Sequence, residues 1–252
     1  MTAVQTDALV LRLYPWSESS CVANLFTREF GKQGVVAKGA WRPRGPFEGA
    51  LDLLSICRVV FIPKAGDALG ILTEAKLVQR YSIGRRDLLR LYCGYYVSEL
   101  LDRFTEKGDT LPELYDLATA TLTSLGDERT EPRACILRWE LQLLRLVGHA
   151  PTLDRCTQCG RMIANDATVP FAPLVGGIVC ENCAGGLRPL IHIPPPARQE
   201  LLRFSEPDWQ EIPTTHLIDS GRAAMRAAME RTISALLDRR LNLTYFLQEL
   251  GH

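Results

Sequence analysis

Apolar positions from Val4 to Tyr81 fall in short alternating or continuous stretches: Ala8 to Tyr14, Cys21 to Thr27, Gly34 to Ala40, Leu53 to Ile62 and Gly70 to Tyr81. Turn residues separate the stretches, and runs of this length with a period near two predict β-strands. Five short strands in about eighty residues, punctuated by glycine and proline, predict a small closed barrel of the OB-fold kind. An SH3-like barrel would leave a similar pattern. The OB scaffold commonly holds single-stranded nucleic acid on one face and in its loops.

From Arg85 the period becomes helical. Leu88, Leu91, Tyr92, Tyr95, Leu100, Leu101 and Phe104 fit one amphipathic helix ending near Gly108. Thr110 and Glu113 read as a capping box around Pro112, opening a helix whose Leu114, Leu117, Thr121, Leu122 and Leu125 share a face. Pro132 starts a third helix through Val147, closed by Gly148. After Pro194-Pro195-Pro196 helices resume, with Met225, Met229, Ile233 and Leu236 at core spacing. The expected class is α+β: an N-terminal OB-fold barrel over 1–81, an all-α domain over 82–151 and 187–252, and an inserted four-cysteine ribbon over 152–186.

That insertion carries the sharpest chemical signal. Cys156-x-x-Cys159 and Cys180-x-x-Cys183 stand twenty residues apart, the spacing of a zinc ribbon. Each pair turns two thiolates toward one point, and four thiolates make a closed tetrahedron with no position for water or substrate. One structural zinc is expected, although four thiolates also accept iron. Cys21, Cys57, Cys93 and Cys135 are isolated inside apolar segments and are expected to be buried thiols of a reducing compartment. No apolar run reaches the length of a membrane span and the N-terminus has no signal-peptide pattern, so a cytoplasmic protein is expected.

The 252 residues carry 29 basic and 29 acidic side chains, so no general attraction to nucleic acid follows from net charge. The segment from Arg28 to Arg44 departs from that balance, with Arg28, Lys32, Lys38, Arg42 and Arg44 against Glu29 alone. Lys38 would close a strand, Arg42 and Arg44 would occupy a loop stiffened by Pro43 and Pro46, and Trp41 between them can stack a base. The competing reading is a solvated loop with Trp41 folded back on the barrel. Trp16 is expected to be a packed turn residue. His149, His192, His216 and His252 stand apart from any catalytic spacing, and no phosphate-binding loop or nucleophile elbow is present. The chain is therefore expected to be a binding protein without catalysis. A protein-interaction scaffold lacking intrinsic DNA binding and a zinc or redox enzyme are the rivals.

Several stretches together resemble one family. They are Ala8 to Ser20, Leu25 to Gly31, Val36 to Pro43, Glu99-Leu100-Leu101, Leu137 to Leu144, and Gly148 to Pro151 with Cys156 to Gly160. In this order they resemble the RecO family of bacterial DNA repair proteins. The resemblance implies an OB-fold, a helical domain and, in many members, a zinc-binding ribbon. It implies binding of single- and double-stranded DNA, annealing of complementary strands, and action with RecR to load RecA on DNA coated by single-strand-binding protein, with RecF a further candidate partner. By position it assigns the DNA-facing role to Lys38, Arg42 and Arg44 flanked by Arg28 and Lys32, and places the acidic tail of the single-strand-binding protein at Arg138. Two local departures stand out: Gly45-Pro46-Phe47-Glu48 follows where the family is often more basic, and Asp238 to Thr244 keeps only two charges of a basic C-terminal segment.

Overall fold

The computed structural model describes residues 2–43, 45–47, 49–66, 68–81, 87–207 and 220–237. Two compact units divide the chain, Met1–Gly126 and Asp127–His252. In the first, strands β1 (Val4–Pro15), β2 (Cys21–Thr27), β3 (Gly31–Ala37), β4 (Ile56–Ile62) and β5 (Gly70–Gln79) close a barrel in the order β1-β2-β3-β5-β4. All pairings are antiparallel except β3 with β5, which joins Val35 to Gly70 and Ala37 to Leu72 in parallel. That closure is the OB topology expected from the strand pattern. Alternation supplies its core: Ala8 and Val10, Ala23 and Leu25, Val35 and Ala37, and Val59 and Phe61 point inward and are fully buried. Phe47, Ala50 and Leu51 of the long β3–β4 connection complete the core.

β3 begins and ends three residues earlier than the pattern predicts. Gly31, at φ 62, starts it, and Lys38 to Trp41 form a turn through Gly39 at φ 73. β4 starts at Ile56 and not Leu53, because Leu53 and Leu54 turn the chain and Leu54 itself sits at φ 63.

Helices α1 (Leu88–Phe104) and α2 (Pro112–Gly126) belong to this first unit. The buried face of α1 is rotated from the predicted one: Cys93, Gly94, Tyr96, Val97, Leu100 and Leu101 are covered, while Leu88 is exposed. Gly94 explains the rotation, since a Cβ there would lie 2.5 Å from Tyr81 and 2.8 Å from Leu54, so only glycine admits this approach. Ser98 then donates to Leu11 O beside the β1 bulge. The capping box at Thr110 is not formed. Leu111 O accepts the N–H groups of Leu114 and Tyr115, and the Thr110 hydroxyl reaches Glu29 O and Gly108 O. The predicted α2 face is otherwise covered, with Leu114, Thr121, Leu122 and Leu125 buried.

The second unit is built on α3 (Pro132–Leu146), opened by the Glu131 carboxylate accepting from Ala134 N at 2.6 Å and followed by Gly148 at φ 80. A small sheet then forms in the order β7 (Gly177–Ile178), β6 (Val169–Ala172), β8 (Ile191–Ile193), with the short α4 (Glu181–Ala184) beside it. Pro194 ends the sheet and caps α5 (Pro195–Ser205), whose first position is proline, and α6 (Arg222–Leu237) follows. Met225, Met229 and Ile233 are buried as predicted, whereas Leu236 is exposed at the end of α6. The four isolated cysteines are all buried. Burial pushes the Cys57 thiol up to about 11, partly offset by the Arg80 charge, and its S–H donates to Ala50 O. No described helix is long and apolar enough to cross a membrane.

Candidate metal centre and nucleic-acid surface

Backbone geometry builds the cysteine site. In the first knuckle Cys156 N bonds to Arg161 O and Gly160 N to Cys156 O, each at 2.8 Å, a turn closed by Gly160 at φ 71. In the second, Cys183 N bonds to Cys180 O at 2.9 Å as α4 begins. Thr157 ties the knuckles together, both its N–H and its hydroxyl reaching Ile178 O at 2.9 Å. The sulfurs of Cys156, Cys159, Cys180 and Cys183 consequently all lie within 4.8 Å of one another, and Cys159 Sγ stands 3.9 Å from Cys180 Sγ. A tetrahedron with metal–sulfur bonds of about 2.3 Å has edges of about 3.8 Å, so the four donors fit a metal ion with little movement.

The electrostatics point the same way. Burial opposes ionisation of Cys156, but N–H groups of Cys180, Cys159 and Gln158 outweigh it and bring the thiol down to about 6. Cys183 is driven the other way, up to about 12, by hydrogen bonding with Cys180, burial, and the remaining sulfurs. Four thiolates this close repel, and a cation at their centre removes the conflict.

The basic segment divides into two groups at opposite ends of the β2–β3 hairpin. Arg28, in the β2–β3 turn, donates through Nε and Nη2 to Asp116 of α2, both at 2.9 Å. Lys32 donates to Asp102 O at 2.7 Å and lies 3.5 Å from the same residue's carboxylate, which also holds Arg12. Phe26 packs its ring 6.3 Å from Tyr115, so α1 and α2 cover this end. Lys38 and Arg42 lie at the other end, exposed, and among the described residues neither enters an ion pair. Trp41 between them is 47% exposed and thus not folded back on the barrel. Arg44 and the segment Asp238 to Thr244 lie outside the described residues.

Two residues that the sequence reading did not assign join this surface. Trp16 is 65% exposed and Tyr14 45%, which corrects the expectation of a packed turn at Trp16. Trp16 N bonds to Ser20 O within the β1–β2 turn, and two hydrogen bonds hold that turn against the one after β3: Trp41 N to Ser19 O and Gly39 N to the Ser20 hydroxyl. On the outer face Tyr14 pairs with Val22, Val22 with Val36, and Val36 with Ile71, an apolar row across four strands that is only partly covered. An aromatic at a strand end beside a Trp-containing turn was readable as exposed only from the hairpin register, which the pattern did not give. Arg138 lies half-buried in α3, and burial lowers its guanidinium pKa from the ordinary value while Arg145 lowers it further and Cys135 raises it.

A closed five-strand OB barrel, a helical second unit and a four-cysteine knuckle define a modular α+β architecture. Comparison of the sequence supplies the family. Residues 1–81 match the description Recombination protein O N terminal, and residues 85–244 match Recombination protein O C terminal. Three proteins described as DNA repair protein RecO are similar to the chain. That of Rhodopirellula baltica is 42% identical over 70% of this chain and 65% of its own length. That of Anaeromyxobacter dehalogenans is 31% identical over 100% of this chain and 98% of its own, and that of Symbiobacterium thermophilum 28% identical over 99% and 98%. The chain belongs to the RecO family of DNA repair proteins.

Proposed function

We propose that this protein is a non-catalytic mediator of DNA repair and recombination that holds DNA on the open end of its barrel. The observation that carries this reading is the conjunction of Lys38 and Arg42, exposed and outside any described ion pair, with exposed Trp41, Trp16 and Tyr14 on two hydrogen-bonded turns. Cations next to aromatic faces suit a phosphate backbone and unstacked bases, so binding is electrostatic and indifferent to sequence. Single strands gain the stacking term in addition to the charge term, whereas duplex DNA gains the charge term alone. Neutralising phosphates on two strands lets their bases pair, so annealing needs no chemical step.

By family position, the protein acts with RecR, and with RecF as a further candidate, to load RecA on DNA coated by single-strand-binding protein. Arg138 receives the acidic tail of that protein, since a partly desolvated guanidinium gains most from a carboxylate partner. Zinc occupies the four-cysteine site in a structural role, because four thiolates leave no open position. The buried free thiols suit the reducing cytoplasm. Fluorescence anisotropy of a labelled mixed-sequence single strand across a salt series tests the reading. Saturable binding that weakens with salt, with a log–log slope of roughly −2 to −4, supports it. Absence of retention at low salt transfers the protein to the scaffold class.

A further inference from the structure

Arg198, in the first turn of α5, is 1% exposed and yet carries a charge. Its Nε donates to Leu153 O at 2.8 Å, its Nη1 to Ala164 O at 2.6 Å, and its Nη2 to Ile163 O at 2.8 Å and Asp154 O at 3.3 Å. All four acceptors are main-chain carbonyls, and they belong to the two limbs of the first cysteine knuckle. Leu153 and Asp154 lead into Cys156, while Ile163 and Ala164 lead away from Cys159. The limbs bond to each other through Ile163 N to Asp154 O at 3.1 Å, and Arg198 clamps both from one side.

A guanidinium presents its donors in a rigid planar fork, and burying it is tolerable only while those donors are satisfied. The clamp therefore works in both directions. With the knuckle closed, four carbonyls compensate the charge. With the knuckle open, a buried cation loses its acceptors, and the α5 turn that carries it becomes unstable where it stands. Helix α5 is fastened in turn to α3, since Gln142 Nε2 donates to Phe204 O at 2.8 Å and Glu206 O at 3.1 Å.

We infer that Arg198 is a positioning residue that couples metal loading at Cys156, Cys159, Cys180 and Cys183 to the order of helix α5. The inference rests on the reading of those cysteines as a metal site. Coupling between two events is reciprocal: if the metal orders α5 through Arg198, then removing Arg198 weakens the metal by the same factor. Partners that orient metal-binding segments without touching the metal are typically worth about 10–100-fold in affinity.

The test uses the full chain loaded with zinc, titrated against a chromogenic chelator, together with hydrogen exchange of α5 amides before and after zinc removal. Arg198→Met is expected to weaken zinc at least about tenfold and Arg198→Lys by less, since an ammonium still reaches some of the carbonyls that a thioether cannot bond. Leu201→Ala, at a fully buried position of the same helix, is expected to lower stability with zinc affinity within about twofold of the parent. Zinc removal is expected to speed exchange in α5 of the parent protein, and to add little in Arg198→Met. Zinc affinity of Arg198→Lys and Arg198→Met equal to the parent's, or α5 exchange indifferent to zinc removal, overturns the inference. If Arg198→Met does not fold, Arg198→Lys and the parent's own exchange data decide. A parent chain that binds no zinc refutes the metal reading itself, a distinct result.

Discussion

Replacing Lys38 and Arg42 together by alanine should remove most of the salt dependence of DNA binding, whereas Arg28→Ala should leave it almost unchanged. Lys38 and Arg42 stand exposed at the open end and Arg44 follows two residues on in the chain; each phosphate contact on a single strand contributes about 0.7 to the log–log salt slope, giving about −2 when all three engage. A fourfold rise in salt then weakens binding about twentyfold. With two contacts gone the slope falls to about −0.7, and the same rise weakens the remaining binding only about threefold. Arg28 differs because its fork is already matched by both oxygens of Asp116 at 2.9 Å, so a phosphate would have to displace a bidentate partner. The assay is anisotropy of one labelled oligonucleotide against the parent and both variants at several salt concentrations, with circular dichroism as the control for folding. An unchanged slope in the double variant, or an equal drop in Arg28→Ala, would refute the division of the basic segment into open and occupied ends. Reversal of Lys38, Arg42 and Arg44 to glutamate should abolish binding with the fold intact.

Trp16→Ala and Trp41→Ala should each cost about 1–3 kcal/mol of single-strand affinity with the salt slope unchanged, and a loss of slope without loss of low-salt affinity would contradict stacking. Cys57 has its pKa raised from 9.0 to about 11, so its contribution to stability is complete below pH 9 and is lost as pH rises through about 11; Cys57→Ala should flatten that part of the denaturation profile relative to the parent. Arg226→Met should destabilise the second unit by about 1–3 kcal/mol in urea unfolding, because Glu140, fully buried and bonded to Arg226 at 2.8 Å, would lose that donor. Replacing Cys156 by serine should release the metal and raise hydrogen exchange through the small sheet while exchange in β1 to β5 stays at the parent rate, as expected of separate compact units.

The parts of this architecture legible in the sequence are those set by neighbours along the chain. Strand β2 was readable residue for residue because alternation decides which side chain faces the core. The cysteine knuckles were readable because two-residue spacings and Gly160 fix their turns locally. The misreadings share the opposite property. The face of α1 was set by how closely Tyr81 and Leu54 approach Gly94, the Thr110 capping box lost to Glu29 O, and the exposure of Trp16 follows from its turn being bonded to the turn after β3. Arg198 carried no local signal at all, since its four acceptors lie on another segment.

The same long-range contacts resolve the apparent conflict between a DNA-binding role and a chain of zero net charge. Net charge counts every cation alike, but a phosphate meets only those whose charge is not already matched. On the barrel unit, Arg28 is matched by Asp116, Arg58 by Asp7, Arg12 and Lys32 by Asp102, and Arg80 by Asp52. These acids neutralise cations along the covered end and sides, whereas Lys38 and Arg42, beside the exposed aromatics, enter no ion pair among the described residues. Within about one screening length at physiological salt, a strand at that end senses a local positive excess and not the neutral average. A chain of zero net charge can thus keep positive charge where bases can stack, a distribution suited to a protein that must hold a strand and then release it.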